Sequence, residues 1–176
     1  SSNVVPVIKQ LYSKLDAEYL ETIDRSKKNY AGSCAITLVV LHNKLLVINT
    51  GDSRAIISVH GGSKVIEASS DHKPERPSEM QRILDNGGEL YRMSVNRKTG
   101  QNSFYNAKNY NELQKINQLR VSAINFAFGP WRINPGGLSV ARSFGDPYSK
   151  VNAKGFACQS VTADPDITQY ELNDVD

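Results

Sequence analysis

Two apolar runs, Leu38–Leu41 and Leu45–Ile48, are separated only by His42, Asn43 and Lys44. Short aliphatic runs with so tight a polar break constrain the chain to an antiparallel hairpin, with strands over Ala35–Leu41 and Leu45–Asn49. Their near-continuous apolar character predicts strands buried on both faces. Arg54–Val59, a Gly61-Gly62 turn and Lys64–Ala68 extend the pattern into an antiparallel meander. Neither run approaches the roughly 20 residues of a membrane helix. No membrane span is therefore expected, and with no basic-then-apolar segment opening the sequence no signal peptide is expected either.

Helical periodicity flanks these strands. Ile8, Leu11, Tyr12, Leu15, Tyr19, Leu20 and Ile23 recur at three- and four-residue steps, so one apolar stripe needs covering by a sheet or helix. Asn3 can cap this helix and Pro6 suits its first turn. A second helix is predicted over Ser78–Asp85, with Pro77 before it and Gly87-Gly88 stopping it. Leu138–Phe144, Gln159–Ala163 and Ile167–Leu172 read as further strands. The mixture specifies an α+β chain, and 176 residues suit one domain. With 12 Gly, 7 Pro and 2 Cys, collagen-like, low-complexity and disulfide-scaffold classes are excluded. Cys34 and Cys158 are expected to be reduced core residues in an intracellular setting, and no Cys/His spacing resembles a zinc site.

Charge is unevenly distributed. Residues 91–137 hold seven basic side chains (Arg92, Arg97, Lys98, Lys108, Lys115, Arg120, Arg132) against one acid, Glu112. Only Leu113, Ile116, Leu119 and Val121 hint at periodicity there, so the segment reads as a long basic loop. Such a loop either is a solvated spacer or attracts phosphorylated and acidic partners. No nucleic-acid recognition module is present, and none is expected to bind.

Three strings carry candidate chemistry: Thr50-Gly51-Asp52-Ser53-Arg54-Ala55, Ser70-Asp71-His72-Lys73-Pro74, and Gly137-Leu138-Ser139-Val140-Ala141-Arg142-Ser143-Phe144-Gly145-Asp146. Gly51 lets the chain turn between strands, and Asp52 can accept backbone N–H groups there. Arg54 offers a planar fork for a buried carboxylate such as Asp52 or Asp146. Arg142 and Asp146 read as an ion pair locking a strand end, or Arg142 stands beside a phosphate. Asp71 is either a cap on the approach to a helix or an oxygen ligand for a hard cation. Neither Ser53 nor Ser139 sits in a nucleophile elbow, and Gly61-Gly62-Ser63-Lys64 lacks the glycine spacing of a phosphate loop.

In this order, followed by Ala163-Asp164-Pro165-Asp166-Ile167 and preceded by Gly32-Ser33-Cys34-Ala35, the strings resemble the metal-dependent protein phosphatases of type 2C. The resemblance covers nearly the whole chain except 91–137, which falls where that family carries its variable flap. It implies that residues 1–176 are the central portion of one such domain, with a flap insertion at 91–137. The implied fold is part of a four-layer αββα sandwich, two antiparallel sheets flanked by helices. The implied activity is hydrolysis of phosphoserine and phosphothreonine by a water activated on two or three Mg²⁺ or Mn²⁺ ions. Phosphorylated proteins would be the partners, with the protein a cytoplasmic or nuclear monomer.

The departures matter as much. The family's Asp-Gly-His-Gly-Gly and Asp-Gly-(x)-(x)-Asp strings do not occur. The Asp-Asn pair present, Asp85-Asn86, lies ahead of the insert and not downstream where the family has its own, and Asp174-Val175-Asp176 stands where the family enters its next strand. The resemblance therefore gives this segment no catalytic residue. It gives one metal candidate, Asp71, and a supporting set of Asp52, Arg54, Arg142 and Asp146. Cys34 for Thr and Ala141 for Ser or Thr read as packing changes. A catalytically inactive scaffold or phosphoprotein-binding module is the alternative from another functional class.

Overall fold

The computed structural model describes residues 4–24, 31–151 and 158–172, so the Asn3 cap and Asp174–Asp176 lie outside the described residues. The chain divides into two compact units, one of residues 1–72, 142–147 and 162–176, the other of 73–141 and 148–161.

In the first unit, α1 (Val4–Thr22) precedes a short β1 (Gly32–Ser33) and the hairpin β2 (Ala35–Leu41) and β3 (Lys44–Thr50). A second hairpin follows, β4 (Ile56–Val59) and β5 (Lys64–Glu67), turning at His60–Gly62. The meander divides at this point, because β3 pairs with β2 on one side and with β10 (Asp166–Glu171) on the other. Central β3 is buried on both faces from Leu46 to Thr50. β2 is not: Leu38, Val40 and Leu41 are exposed, since the described residues pair β2 with β3 alone. The same hydrophobic run thus has two fates, decided by position in the sheet.

α1 corrects the sequence reading in a different way. Leu11, Leu15 and Tyr19 of its stripe are exposed, while Asp16 is its buried residue. Asp16 Oδ1 accepts the Gly145 N–H at 2.8 Å, Tyr12 stacks at 5.2 Å on Phe144, and its hydroxyl bonds Thr37 Oγ1 at 2.9 Å. A carboxylate and a tyrosine dock this helix more than its leucines do. Phe144 lies in the two-residue β9 (Phe144–Gly145), which pairs with β1. The strand predicted over Leu138–Phe144 is otherwise absent, and Gln159–Ala163 contributes only a bridge between Thr162 and Arg142.

In the second unit, α2 (Pro77–Asp85) starts on Pro77 and ends before Gly87 at φ +76°, as the punctuation predicts. The supposed long loop is an ordered sheet and helix. β6 (Glu89–Asn96) lies between β7 (Asn102–Ala107) and β8 (Phe126–Asn134), with α3 (Tyr110–Ser122) between β7 and β8 in the chain. Leu90, Ala107, Leu113, Trp131 and Ile133 are fully buried with Met80, Ile83, Ala141 and Val161. The strand pattern escapes a hydropathy reading because the inward residues of β6 are Leu90, Arg92 and Ser94. α3 had a legible start: Asn109 accepts the Glu112 N–H at 2.9 Å, and Glu112 reaches back to the Lys108 N–H at 2.9 Å.

Leu113, fully buried in α3, separates an ordered segment from a spacer. Leu113→Ala is expected to lower stability in urea melts by about 2–5 kcal/mol, the range for a truncated core leucine. An unchanged midpoint would return residues 91–137 to the status of a spacer.

Candidate functional site

The end of β3 organises the first unit. Thr50 Oγ1 donates to the Ala163 carbonyl at 3.1 Å. Gly51 turns the chain at φ +110°, where a Cβ would fall 2.2 Å from Cys34 Sγ, so only glycine fits. Its N–H points at His72 Nδ1, 3.1 Å away, and its carbonyl accepts the His72 N–H at 3.0 Å. Asn49 Nδ2 donates to the same carbonyl at 3.2 Å and to Ser70 O at 3.0 Å. Nδ1 of the fully buried His72 thus faces both the N–H of Gly51, at 3.1 Å, and its carbonyl, at 3.0 Å. Nε2 lies 3.1 Å from Asp166 Oδ2.

Arg54 chooses a partner other than those the sequence suggested. Arg54 pairs with Asp71, Nε to Oδ1 at 2.8 Å and Nη2 to Oδ2 at 3.1 Å, not with Asp52 or Asp146. Asp71 is the largely covered member and Arg54 the exposed one, so this fork is laid over the surface and is not sunk into a core. The Asp71 carboxylate and a salt-bridging hydrogen bond hold the Arg54 guanidinium above its ordinary range. Arg142 bonds Asp166 Oδ1 at 3.0 Å and the Asp164 carbonyl at 2.9 Å, two partners from a string further along the chain. Lys9 of α1 closes on Asp164 at 2.9 Å.

Asp146 has a different task. At φ +51° it follows Gly145, donates its N–H to Ala31 O at 2.9 Å, and lays its carboxylate where a Cβ on Gly32 would stand 2.1 Å away. Asp52 Oδ1 accepts the Cys34 thiol at 3.3 Å. All five residues singled out from the sequence are in the first unit, and Asp71 is joined to the β3 turn through its neighbour His72. Sequence reasoning passed over His72, Asp166 and Asp16. The first two lie within strings already singled out, but nothing in the sequence marks Asp16 against its apolar neighbours.

The second unit contains the residues that follow Asp71-His72-Lys73-Pro74. Glu79, buried in α2, holds Arg82 Nη2 at 2.8 Å. Arg82 then donates to the carbonyls of Ala141 at 2.8 Å, Ser160 at 3.0 Å and Gln159. A Cβ on Gly88 would stand 2.5 Å from Ser160 Oγ, so the glycine lets this loop approach.

Among the described residues, no three His, Cys, Asp or Glu side chains converge to hold a metal ion. A single carboxylate already forked by an arginine does not fit a divalent-ion centre by itself, because a hard cation takes six or more oxygens. No helix among the described residues is long and apolar enough to cross a membrane.

Both cysteines are free thiols. Burial pushes the Cys34 thiol up, and the Asp52 and Asp146 carboxylates add to that, against a backbone hydrogen bond at Asp52. A raised value keeps the thiol protonated above the pH at which an ordinary cysteine ionises. Iodoacetamide at pH 8.5 is expected to alkylate Cys34 several-fold more slowly in the folded chain than in urea. Asp52→Asn should narrow the gap; equal rates throughout would refute the assignment.

Comparison with known proteins agrees with this frame. The sequence matches the Protein phosphatase 2C family profile over residues 3–176. It is 31% identical over 172 residues to "Probable protein phosphatase 2C 59" of Arabidopsis thaliana, covering 98% of this chain and 40% of that protein. It is 33% identical to "Probable protein phosphatase 2C 45" of Oryza sativa subsp. japonica, covering 98% and 44%. The chain thus spans less than half the length of these relatives. Its fold resembles the crystal structure of serine-threonine phosphatase 2C from Toxoplasma gondii, with a TM-score of 0.58 at 20% identity, over 96% of this chain and 46% of that one. The continuous match over the interlocked strings shows that the chain belongs to the protein phosphatase 2C family.

Proposed function

We propose that the protein containing this chain is a metal-dependent serine/threonine phosphatase acting on phosphorylated proteins in the cytoplasm or nucleus as a monomer. The observation that carries this reading is the family match across residues 3–176, with the Gly51, Asp71-His72 and Asp166 strings tied together through one buried imidazole. Phosphate monoester hydrolysis needs charge neutralisation on the transferring group, and Mg²⁺ or Mn²⁺ bound by carboxylates supplies it. The segment contributes frame and periphery: residues 1–176 act as the central portion of the phosphatase domain, with 91–137 as its flap-region insertion. Asp71 lends one oxygen to a loosely held ion, in competition with Arg54.

Three outcomes test this. Full-length protein should hydrolyse a phosphothreonine peptide with Mn²⁺ and lose the activity in EDTA. The isolated 176-residue chain, lacking three convergent metal ligands among its described residues, should not hydrolyse p-nitrophenyl phosphate. In the full-length protein, Asp71→Ala should depress activity several-fold more at low than at saturating Mn²⁺. An unchanged metal-activation curve would make Asp71 purely a partner for Arg54.

A further inference from the structure

β6 carries a guanidinium into the interior of the second unit. Arg92 is 5% exposed, with Nε donating to the Gly129 carbonyl at 2.7 Å and Nη1 to Asn117 Oδ1 at 2.7 Å. Its charge lies 5.6 Å from the ring centroids of both Phe128 and Trp131. These contacts orient the fork without neutralising it. Among the described residues neither Arg92 nor Arg120 forms an ion pair with a carboxylate. Burial and the nearby Arg120 hold the Arg92 guanidinium below its ordinary range, and Glu75 opposes them.

A cavity of about 400 Å³ opens at this point, lined by Glu75, Arg92, Asn117, Arg120 and Trp131. A second, of about 390 Å³, shares Arg120, and its lining includes Arg97, Ile124, Phe126 and Phe128. Two guanidinium groups facing one space with a single carboxylate leave a net positive cavity. Guanidinium forks match phosphoryl oxygens in geometry and charge. Each cavity is far larger than a lone phosphate and in the range of sites for larger ligands. Ile124, 87% exposed, and Phe126 stand among the residues around the second cavity, whose lining surface is mainly polar. A nucleic acid would call for a longer track of cations than this, and Glu75 would oppose it.

We propose that these adjoining cavities bind a phosphorylated peptide segment. Its phosphoryl dianion lies against Arg92 and Arg120, and the residues flanking it continue into the space beside Arg97 and Ile124. This rests on the reading that the protein acts on phosphoproteins, but it concerns recognition and involves no bond breaking.

Trp131, the only tryptophan of the chain, lines the first cavity, so its emission reports occupancy directly. The chain is titrated, without divalent metal, with a peptide bearing a non-hydrolysable phosphonate analogue of phosphoserine. The unmodified peptide, inorganic phosphate and a single-stranded RNA oligonucleotide are run in parallel. The phosphonate peptide should give a saturable change in emission and the unmodified peptide none. Arg120→Gln, at an exposed helix position and so expected to fold, should weaken binding at least ten-fold. Glu75→Gln should tighten it several-fold, a gain that damage to the fold would not produce. A flat titration, equal affinity in Arg120→Gln, tighter binding of RNA, or inorganic phosphate binding as well as the peptide would each overturn the proposal. If the phosphatase reading fails, full-length protein is inactive while this titration still saturates; if the present inference fails, active protein gives a flat titration.

Discussion

The buried imidazole of His72 is the contact on which the first unit depends. It answers the N–H of a glycine that must turn at positive φ, while the backbone of the same histidine answers that glycine's carbonyl. Both bonds are made where water cannot substitute, so losing the ring would leave the Gly51 N–H buried and unpaired at a cost of about 1–3 kcal/mol. The reciprocal bonds also fix Asp71, one residue earlier, and face Asp166 at the start of β10. Position is transmitted here through short, directional bonds between polar groups in a hydrophobic sheet end.

Carboxylate and arginine partnerships then settle the surroundings. Arg54 and Arg142 both find acids, but each reaches an acid from a different string: Asp71 for one and Asp166 for the other. Asp146 follows Gly145 at positive φ, and its carboxylate lies over Gly32. Chain geometry, more than proximity in sequence, decides which charges meet. Family strings that look like separate local motifs are in this unit parts of one network.

What was legible in the sequence follows from what hydropathy can encode. The hairpin of β2 and β3, the turn at Gly61-Gly62, α1, α2 and β10 all announce themselves through runs, periodicity and punctuation. The failure at 91–137 has a specific cause: Arg92 and Ser94 occupy inward positions of β6, so its period-two signal is carried by polar residues. Asn109 and Glu112 mark the start of α3, a capping signal that the sequence reading passed over. Of the site, the strings were visible, but the pairings of Arg54, Arg142 and Asp16 were not, since they join residues 17 to 129 positions apart. Whether β2 or β3 would be covered was equally invisible, because an aliphatic run does not state which strand occupies the middle.

The polar interior of the second unit has a consequence for how its sequence can vary. Asn117 Oδ1 accepts from Arg92 Nη1 at 2.7 Å and from Trp131 Nε1 at 3.0 Å, so one oxygen serves two donors from different strands. Changing Asn117 alone strands both donors, and changing either donor alone leaves the amide oxygen half used. Substitution effects at the three positions will not add, since each is measured against the other two. Helix and sheet are therefore bound into a single heritable unit: an arginine on β6, an amide on α3 and an indole on β8 drift together or stay where they are.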